Sequence, residues 1–394
     1  MTRIAIGPGN TCGVTRRAVI AAAIFACATW SGLQSAQADP LLDEVVNFNG
    51  AIFYFEHKVP AVVIGVVRNG EISISGFGER AGKDSKAPDG DTVMRLGSIT
   101  KAFTGEMLAH LAAQNTVQLT QPLTKSWPEI AARAKADVGH IRLIDLVTHS
   151  GGLPREVTHP PPKSENDPFA PITVEAFTDW LNKESLLFKP GTSVHYSNFG
   201  FDLLALSLSK AANKPYPALL EQYITVPLKL KDTAFALSEE QKQRLMQGHG
   251  FGGEAVPDVP TGSVIVGSGG LYSTPNDLLK WMKWHLDRFG ESDAETRLLD
   301  HSLYVVRDGL RTVTGMDESG HMDAMGLGWV AMMPKGDRPF ILQKAGGLQG
   351  IFTYIAFAPT RGIAVFIAIN QFDIAAAMGM AEFANDLIAT LAPR

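Results

Sequence analysis

Cysteine is almost absent from this chain of 394 residues: there are 2, Cys12 and Cys27, and both fall within the first 38 positions. Those positions have the three parts of a secretory signal. Arg16–Arg17 is the positive region, Ala18 to Trp30 the apolar run, and Ala36-Gln37-Ala38 an A-x-A cleavage site before Asp39. Cleavage there would leave a body without thiols, which excludes disulfides, thiolate catalysis and cysteine-based zinc or iron–sulfur sites. Long hydrophobic runs are missing too. The signal's apolar run of thirteen residues is too short to cross a bilayer, and no later stretch has eighteen uninterrupted apolar residues, so no transmembrane segment is expected after cleavage. Excess positive charge is also lacking: 35 Lys+Arg stand against 40 Asp+Glu, and Arg3, Arg16 and Arg17 leave with the signal. An acidic body of this kind has no global attraction for nucleic acid.

What is present is the composition of a packed globular protein, 45% hydrophobic and 19% charged. Leu41 to Phe55 carries a helical apolar stripe interrupted by Gly50. Ala61 to Arg68 and Glu71 to Phe77 flank Asn69-Gly70, the dipeptide of a type I′ hairpin turn. Ser98 to Ala113 reads as a helix burying Phe103, Met107, Leu108 and Leu111. From Leu119 to about Met246 the pattern changes to broken helices (141–148, 174–182 and 199–212) and loops, including a stiff loop from Pro154 to Pro171. A helix follows Ser273, and strands return at 326–333, 340–344, 351–358 and 363–369 before a closing helix from Ala375 to Leu391. Strands at both ends of the chain predict an α/β fold: an antiparallel sheet flanked by helices, drawn from about 39–115 and 260–394, with a mainly helical region from about 116–259 inserted. Gly267-Ser268-Gly269-Gly270 lacks the lysine and hydroxyl of a phosphate-binding loop, and no cofactor motif is found.

Three short segments carry potential chemistry. In Ser98-Ile99-Thr100-Lys101 the hydroxyl and amine are i and i+3 on one helix face, at an N-terminus where free N–H groups favour negative charge. A neutral lysine so placed can activate a serine nucleophile; a capping serine beside a surface lysine would look the same. In His195-Tyr196-Ser197-Asn198 a tyrosine near cations can act as base or acid, and the asparagine can orient lysine and substrate amide. A buried aromatic and a helix cap are the plainer alternatives. In Lys344-Ala345-Gly346-Gly347, at the end of an apolar strand, small residues let a substrate backbone approach, although a lysine before glycines also suits an ordinary turn.

In this order and spacing the three segments resemble the serine β-lactamase and penicillin-binding-protein superfamily, marked by S-x-x-K. They are most similar to its class C and DD-peptidase branch, with Tyr-x-Asn as middle motif, and to low-molecular-mass AmpH-type D-alanyl-D-alanine carboxypeptidase/endopeptidases. Leu146 to Leu153, Gly269 to Thr274 and Gly326-Leu327-Gly328-Trp329 extend the resemblance over roughly residues 45–390. It implies a β-lactamase/transpeptidase-like fold, with Ser98 as the acylated nucleophile and Lys101 and Tyr196 as general base and acid. Asn198, Lys344, Ala345 and Gly346 would bind or orient the substrate, and the N–H groups of Ser98 and Gly347 would form the oxyanion hole. No metal or cofactor is required. The family's usual threonine in the third motif is replaced by Ala345, leaving Lys344 and a nearby arginine or histidine to meet a substrate carboxylate.

The resemblance implies an exported, periplasmic, penicillin-binding serine hydrolase acting on peptidoglycan stem peptides. A class C-like β-lactamase and an esterase or D-amino-acid amidase use the same residues, and a non-catalytic cell-wall-binding module would need none of them. The signal does not separate the Sec from the twin-arginine route, and oligomeric state has no mark in the pattern. His149 reads as structural, His195 as adjacent to the site, and His321 as lining the pocket, with His321 and Asp323 short of a metal set.

Overall fold

A computed structural model of the chain describes residues 40–131, 135 and 137–394; the segment read as a secretory signal lies outside the described residues. The centre is an eight-stranded antiparallel sheet built from both ends of the sequence. The N-terminal part supplies β1 (Ala61–Arg68) and β2 (Glu71–Gly78). The C-terminal part supplies the short β3 (Val305–Val306), β4 (Ala324–Met325) and β5 (Val330–Met332), then β6 (Ile341–Leu348), β7 (Ile351–Ala358) and β8 (Ile363–Ile369). Their order is β2-β1-β8-β7-β6-β5-β4-β3, so the two ends meet where Val62 pairs with Ile369. Asn69 and Gly70 take φ values of 51° and 87° in the β1–β2 turn, the left-handed pair that an Asn-Gly hairpin needs.

Strand sequences such as Ile363-Ala-Val-Phe-Ile-Ala-Ile369 are apolar without alternation because both sheet faces are covered. Val62, Ile64, Val365 and Ile367 pack on α1 (Pro40–His57) and on the chain's last helix, α8 (Ile374–Leu391). Val63, Ala364 and Phe366 face the opposite way, towards α2 (Thr100–Ala113) and α6 (Pro275–Leu286). Between these lie α3 (Leu143–Val147), α4 (Val174–Lys183) and α5 (Asn198–Ala211) of the helical region, and α7 (Ala294–His301) follows α6. At 18 residues and a mean hydropathy of 1.2, α8 has the length and composition of a membrane span. Its Met380, Ala384, Leu387 and Ile388 are instead spent on the sheet.

Three sequence expectations need correction. The helix containing the nucleophile candidate does not start at Ser98: Gly97–Ile99 form one 3₁₀ turn, and α2 begins at Thr100. Residues 326–333 are not one strand. Gly326 N–H donates to Trp329 O (2.9 Å) in a turn between β4 and β5, with Gly328 at φ 81°. The strand expected over 340–344 does not stop at Lys344; it runs through the glycines to Leu348, and the chain reverses at Gln349-Gly350 instead.

The setting of α2 was not expected either. Its residues from Thr100 to Leu111 are all buried, rather than those of a single face, because the helix is wedged between the sheet and the helical region. Buried with them are Lys101, Thr104, Glu106 and His110, whose polar atoms must find partners inside the protein.

Candidate active site

The first turn of α2, the start of α5 and the middle of β6 converge on one cleft of about 400 Å³. Ser98 lies at its floor, half-buried, with its Oγ accepting hydrogen bonds from Lys101 Nζ (3.0 Å) and Tyr196 Oη (2.6 Å). Lys101 is fully buried and also donates to Asn198 Oδ1 (2.5 Å) and Ser268 O (2.7 Å). Both of those partners are pure acceptors. A neutral amine can satisfy them with its two N–H bonds and keep its lone pair for the Ser98 hydroxyl. Burial lowers the Lys101 ammonium to about 7, against the charges of Asp202 and Glu156, which favour protonation. The neutral form is therefore well populated near neutral pH.

Asp202 lies beneath this network, one helical turn from Asn198 on α5. Its Oδ1 accepts from Gly267 N–H (3.0 Å) and Ser268 N–H (2.9 Å), and its Oδ2 accepts from Ser268 Oγ (2.8 Å). The carboxylate thus fixes the turn whose carbonyl receives Lys101, while burial raises its own pKa. Sequence reading missed both Asp202 and Ser268. The available signal was an acid in the otherwise apolar run from Phe199 to Leu206, at i+4 from Asn198.

Tyr196 is held between rings and cations. The His149 ring stacks on it at 4.6 Å, and Lys101 Nζ, Arg155 Cζ and Lys344 Nζ lie 4.9, 4.8 and 5.3 Å from its centroid. His149 has the structural place expected for it. Its Nδ1 accepts from Ser197 N–H (2.9 Å), and burial, with the Lys101 charge, holds its pKa well below the usual range. The start of the 154–171 loop is pinned to the same motif: Arg155 O accepts from the N–H groups of Asn198 and Phe199, and Glu156 accepts from Asn198 Nδ2. Arg155 lines the cleft, the position a nearby arginine would need to meet a substrate carboxylate.

Along the opposite wall runs β6. Its pairing with β5 ends at Val330–Gln343, so Lys344 to Leu348 have a ladder partner only on the β7 side among the described residues. Lys344 points under the cleft with its pKa lowered by burial, while Tyr196 opposes that shift. Ala345 lines the cleft and packs toward the apolar layer beneath α8. A Cβ on Gly346 would stand 2.1 Å from Leu96 O and 2.9 Å from Ser98 N, and one on Gly97 would stand 2.5 Å from Gly347 N. Absence of side chains there lets the Gly97-Ser98 backbone approach that of Gly346-Gly347 closely. His321 is not part of the wall. Its side chain is 62% exposed, 3.7 Å from Asp317 and from Asp323, and Asp317, Glu318 and Ser319 line the cleft in its stead. His195 belongs to a short pairing with Thr314, and its N–H donates to His149 O (2.9 Å).

Comparison with known proteins agrees with this geometry. The chain is 34% identical over 382 residues to the D-alanyl-D-alanine-carboxypeptidase/endopeptidase AmpH of Escherichia coli K12, covering 95% of this chain and 97% of that protein. It is 24% identical to a β-lactamase of Pseudomonas fluorescens, over 80% of this chain and 90% of the other. Among solved structures, a β-lactamase/D-alanine carboxypeptidase from Yersinia pestis complexed with citrate superposes with a TM-score of 0.80 at 34% identity, covering 89% of this chain and 98% of that one. The Beta-lactamase family model matches residues 36–389. With nearly the whole chain accounted for, it belongs to the Beta-lactamase family and is a serine hydrolase.

Proposed function

We propose that the protein is a periplasmic D-alanyl-D-alanine carboxypeptidase/endopeptidase that cleaves peptidoglycan stem peptides and is acylated by penicillins. One observation carries the reading: Ser98 Oγ lies within hydrogen-bonding distance of both Lys101 Nζ and Tyr196 Oη, beside the unpaired edge of β6. A peptide laid along that edge presents its scissile carbonyl to Ser98. Lys101, as neutral amine, takes the hydroxyl proton as Oγ attacks. The tetrahedral oxygen is met by the N–H groups of Ser98 and Gly347, an arrangement worth about 2.7–4 kcal/mol per donor in related chemistry. Tyr196 then gives its proton to the leaving amine, and water enters by the reverse route to release the acyl group from Ser98.

Two features favour peptidase over β-lactamase. The AmpH relative matches nearly end to end, and Ala345 removes one hydroxyl donor to a free carboxylate, leaving Arg155 and Lys344 as its cationic partners. Substrates whose chain continues beyond the scissile bond lose least from that change. The signal read at residues 1–38 supports an address in the periplasm. The test is product analysis on three substrates under one condition: a D-Ala-D-Ala stem peptide, a cross-linked muropeptide and a cephalosporin. Release of D-alanine or cleavage of the cross-link, with a long-lived penicillin adduct by intact mass, is expected. Rapid turnover of the cephalosporin with both peptides untouched would make the protein a β-lactamase.

A further inference from the structure

Helix α2 contributes to a second buried polar cluster that acyl transfer does not use. Glu106 is fully buried, and its Oε2 lies 3.8 Å from His285 Nε2 on α6. The other ring nitrogen of His285, Nδ1, faces the end of α7. There it stands 2.9 Å from His301 Nε2 and 3.6 Å from Asp300 Oδ2, and the last two atoms are 3.7 Å apart. Three ligands around a tetrahedral zinc, with bonds of about 2.0–2.2 Å, are separated by about 3.3 Å. The triangle has those dimensions.

A metal-free hydrogen-bonded cluster is the competing reading, and it explains part of the arrangement. Trp329 Nε1 donates to Asp300 Oδ2 (2.8 Å), Trp281 Nε1 donates to Glu106 Oε2 (2.5 Å), and the two histidines pair. It does not explain the rest. Asp300 Oδ1 and His285 Nε2 are buried without a hydrogen-bond partner among the described residues, whereas Glu106 Oε1 and His110 Nε2 face each other at 3.4 Å. Buried polar groups are nearly always satisfied, and two carboxylates beside one another in an aromatic shell are harder still to accommodate. A divalent cation answers both difficulties. It supplies positive charge to Asp300 and Glu106 and replaces the proton that His285 Nδ1 and His301 Nε2 now share in their hydrogen bond. His285 bound through Nδ1 presents Nε2–H to Glu106, the carboxylate–histidine–metal relay that orients such ligands. Trp281, Trp329 and Phe357 pack around the His285 ring, and His301, at 17% side-chain exposure, is the one of the three ligands that reaches solvent.

We propose that His285, Asp300 and His301 bind a zinc ion, with Glu106 positioning His285, as a structural cross-link among α2, α6 and α7. Nitrogen and oxygen donors in a closed set of this size suit zinc and its spectroscopic substitute cobalt. Periodicity could not point to it, because the ligands come from two helices and the metal spacings of sequence motifs lie within one. The site is separate from Ser98, so the proposal stands whichever substrate the enzyme takes.

The test uses the full mature chain without a histidine tag, stripped by chelator and titrated with Co²⁺ alone. Saturable visible bands of tetrahedral cobalt at a single equivalent are expected, displaced by Zn²⁺, with the melting temperature rising about 5 °C or more at zinc a thousandfold above its Kd. Asp300→Asn and His301→Gln should lose the bands and the thermal response while keeping a cooperative unfolding transition. If either variant does not fold, the parent titration decides alone. No saturable bands and no thermal response in the stripped parent would overturn the site. So would binding that persists in both folded variants, since that is an adventitious ion only.

Discussion

Lys101 and Glu106 lie five residues apart on α2, each fully buried, yet their surroundings differ. Around Lys101 the polar atoms are paired: its amine has three acceptors, both oxygens of Asp202 accept hydrogen bonds, and Ser98 Oγ has two donors. Around Glu106, His285 Nε2 and Asp300 Oδ1 have no hydrogen-bond partner among the described residues, and Glu106 Oε1 meets His110 Nε2 only at 3.4 Å. The first cluster has one such unpartnered atom, His149 Nε2, and opens on the cleft where the proposed mechanism brings the substrate's carbonyl. The second lies away from that cleft and gathers two carboxyl groups among its histidines.

The most severe way to break the first cluster is Ser98→Ala. Covalent labelling by a fluorescent penicillin should vanish while the thermal transition stays close to that of the parent, because one hydroxyl contributes little packing. Labelling equal to the parent's would place the nucleophile elsewhere. Next comes Tyr196→Phe, which keeps the ring stacked on His149 and removes only the proton relay. Turnover should fall by about 10²–10⁴-fold, measured as kcat on a stem peptide. Unchanged turnover would reduce Tyr196 to packing.

A smaller effect is expected at the wall of the same cleft. Ala345→Thr installs a donor for a carboxylate and should raise kcat/KM for a free-carboxylate substrate over its amide by about 10- to 150-fold, the worth of one charge-assisted hydrogen bond. Equal gains on both substrates would show that Ala345 does not set that preference.

The least change in rate, and the most direct use of the comparison, comes from one chemical edit in each cluster. Asp202→Asn can keep every hydrogen bond to Gly267 and Ser268 but removes a negative charge that favours the Lys101 ammonium. In the proposed mechanism neutral Lys101 is the active form, so activity should rise with pH through about 7 in the parent. Without the carboxylate the amine loses its proton more readily, and the acid limb should move to lower pH by about one unit. Asp300→Asn should leave that limb where it is. A shift in the Asp300 variant, or none in the Asp202 variant, would erase the distinction between the clusters.

Much of this was legible in the sequence, for identifiable reasons. Apolar runs with turn dipeptides placed β1, β2, β7 and β8 within a residue, since local pairing and burial both act over such stretches. Three short motifs named the residues that converge on the cleft. What stayed hidden depends on partners distant in the chain. Lys344 to Leu348 remain in a strand because β7 holds them, against the weak strand preference of two glycines. Asp202 and Ser268 lie 66 positions apart and matter only through Lys101. Burial of α2 on all sides follows from what packs around it, which its own periodicity does not encode.

The unpaired stretch of β6 has a further consequence, for solubility. A row of free N–H and C=O groups is a template for any strand, including one from a second copy of the same protein. This chain keeps the row short. β5 covers β6 up to Gln343, and the Gln349-Gly350 turn ends it just beyond Leu348. Within the gap stand a lysine and two glycines, residues that neither pack a neighbouring sheet nor favour a long extended partner. Lengthening the gap to admit a bulkier substrate would therefore also lengthen a sticky edge, which sets an upper bound on how much extended substrate the enzyme could grip by its backbone alone.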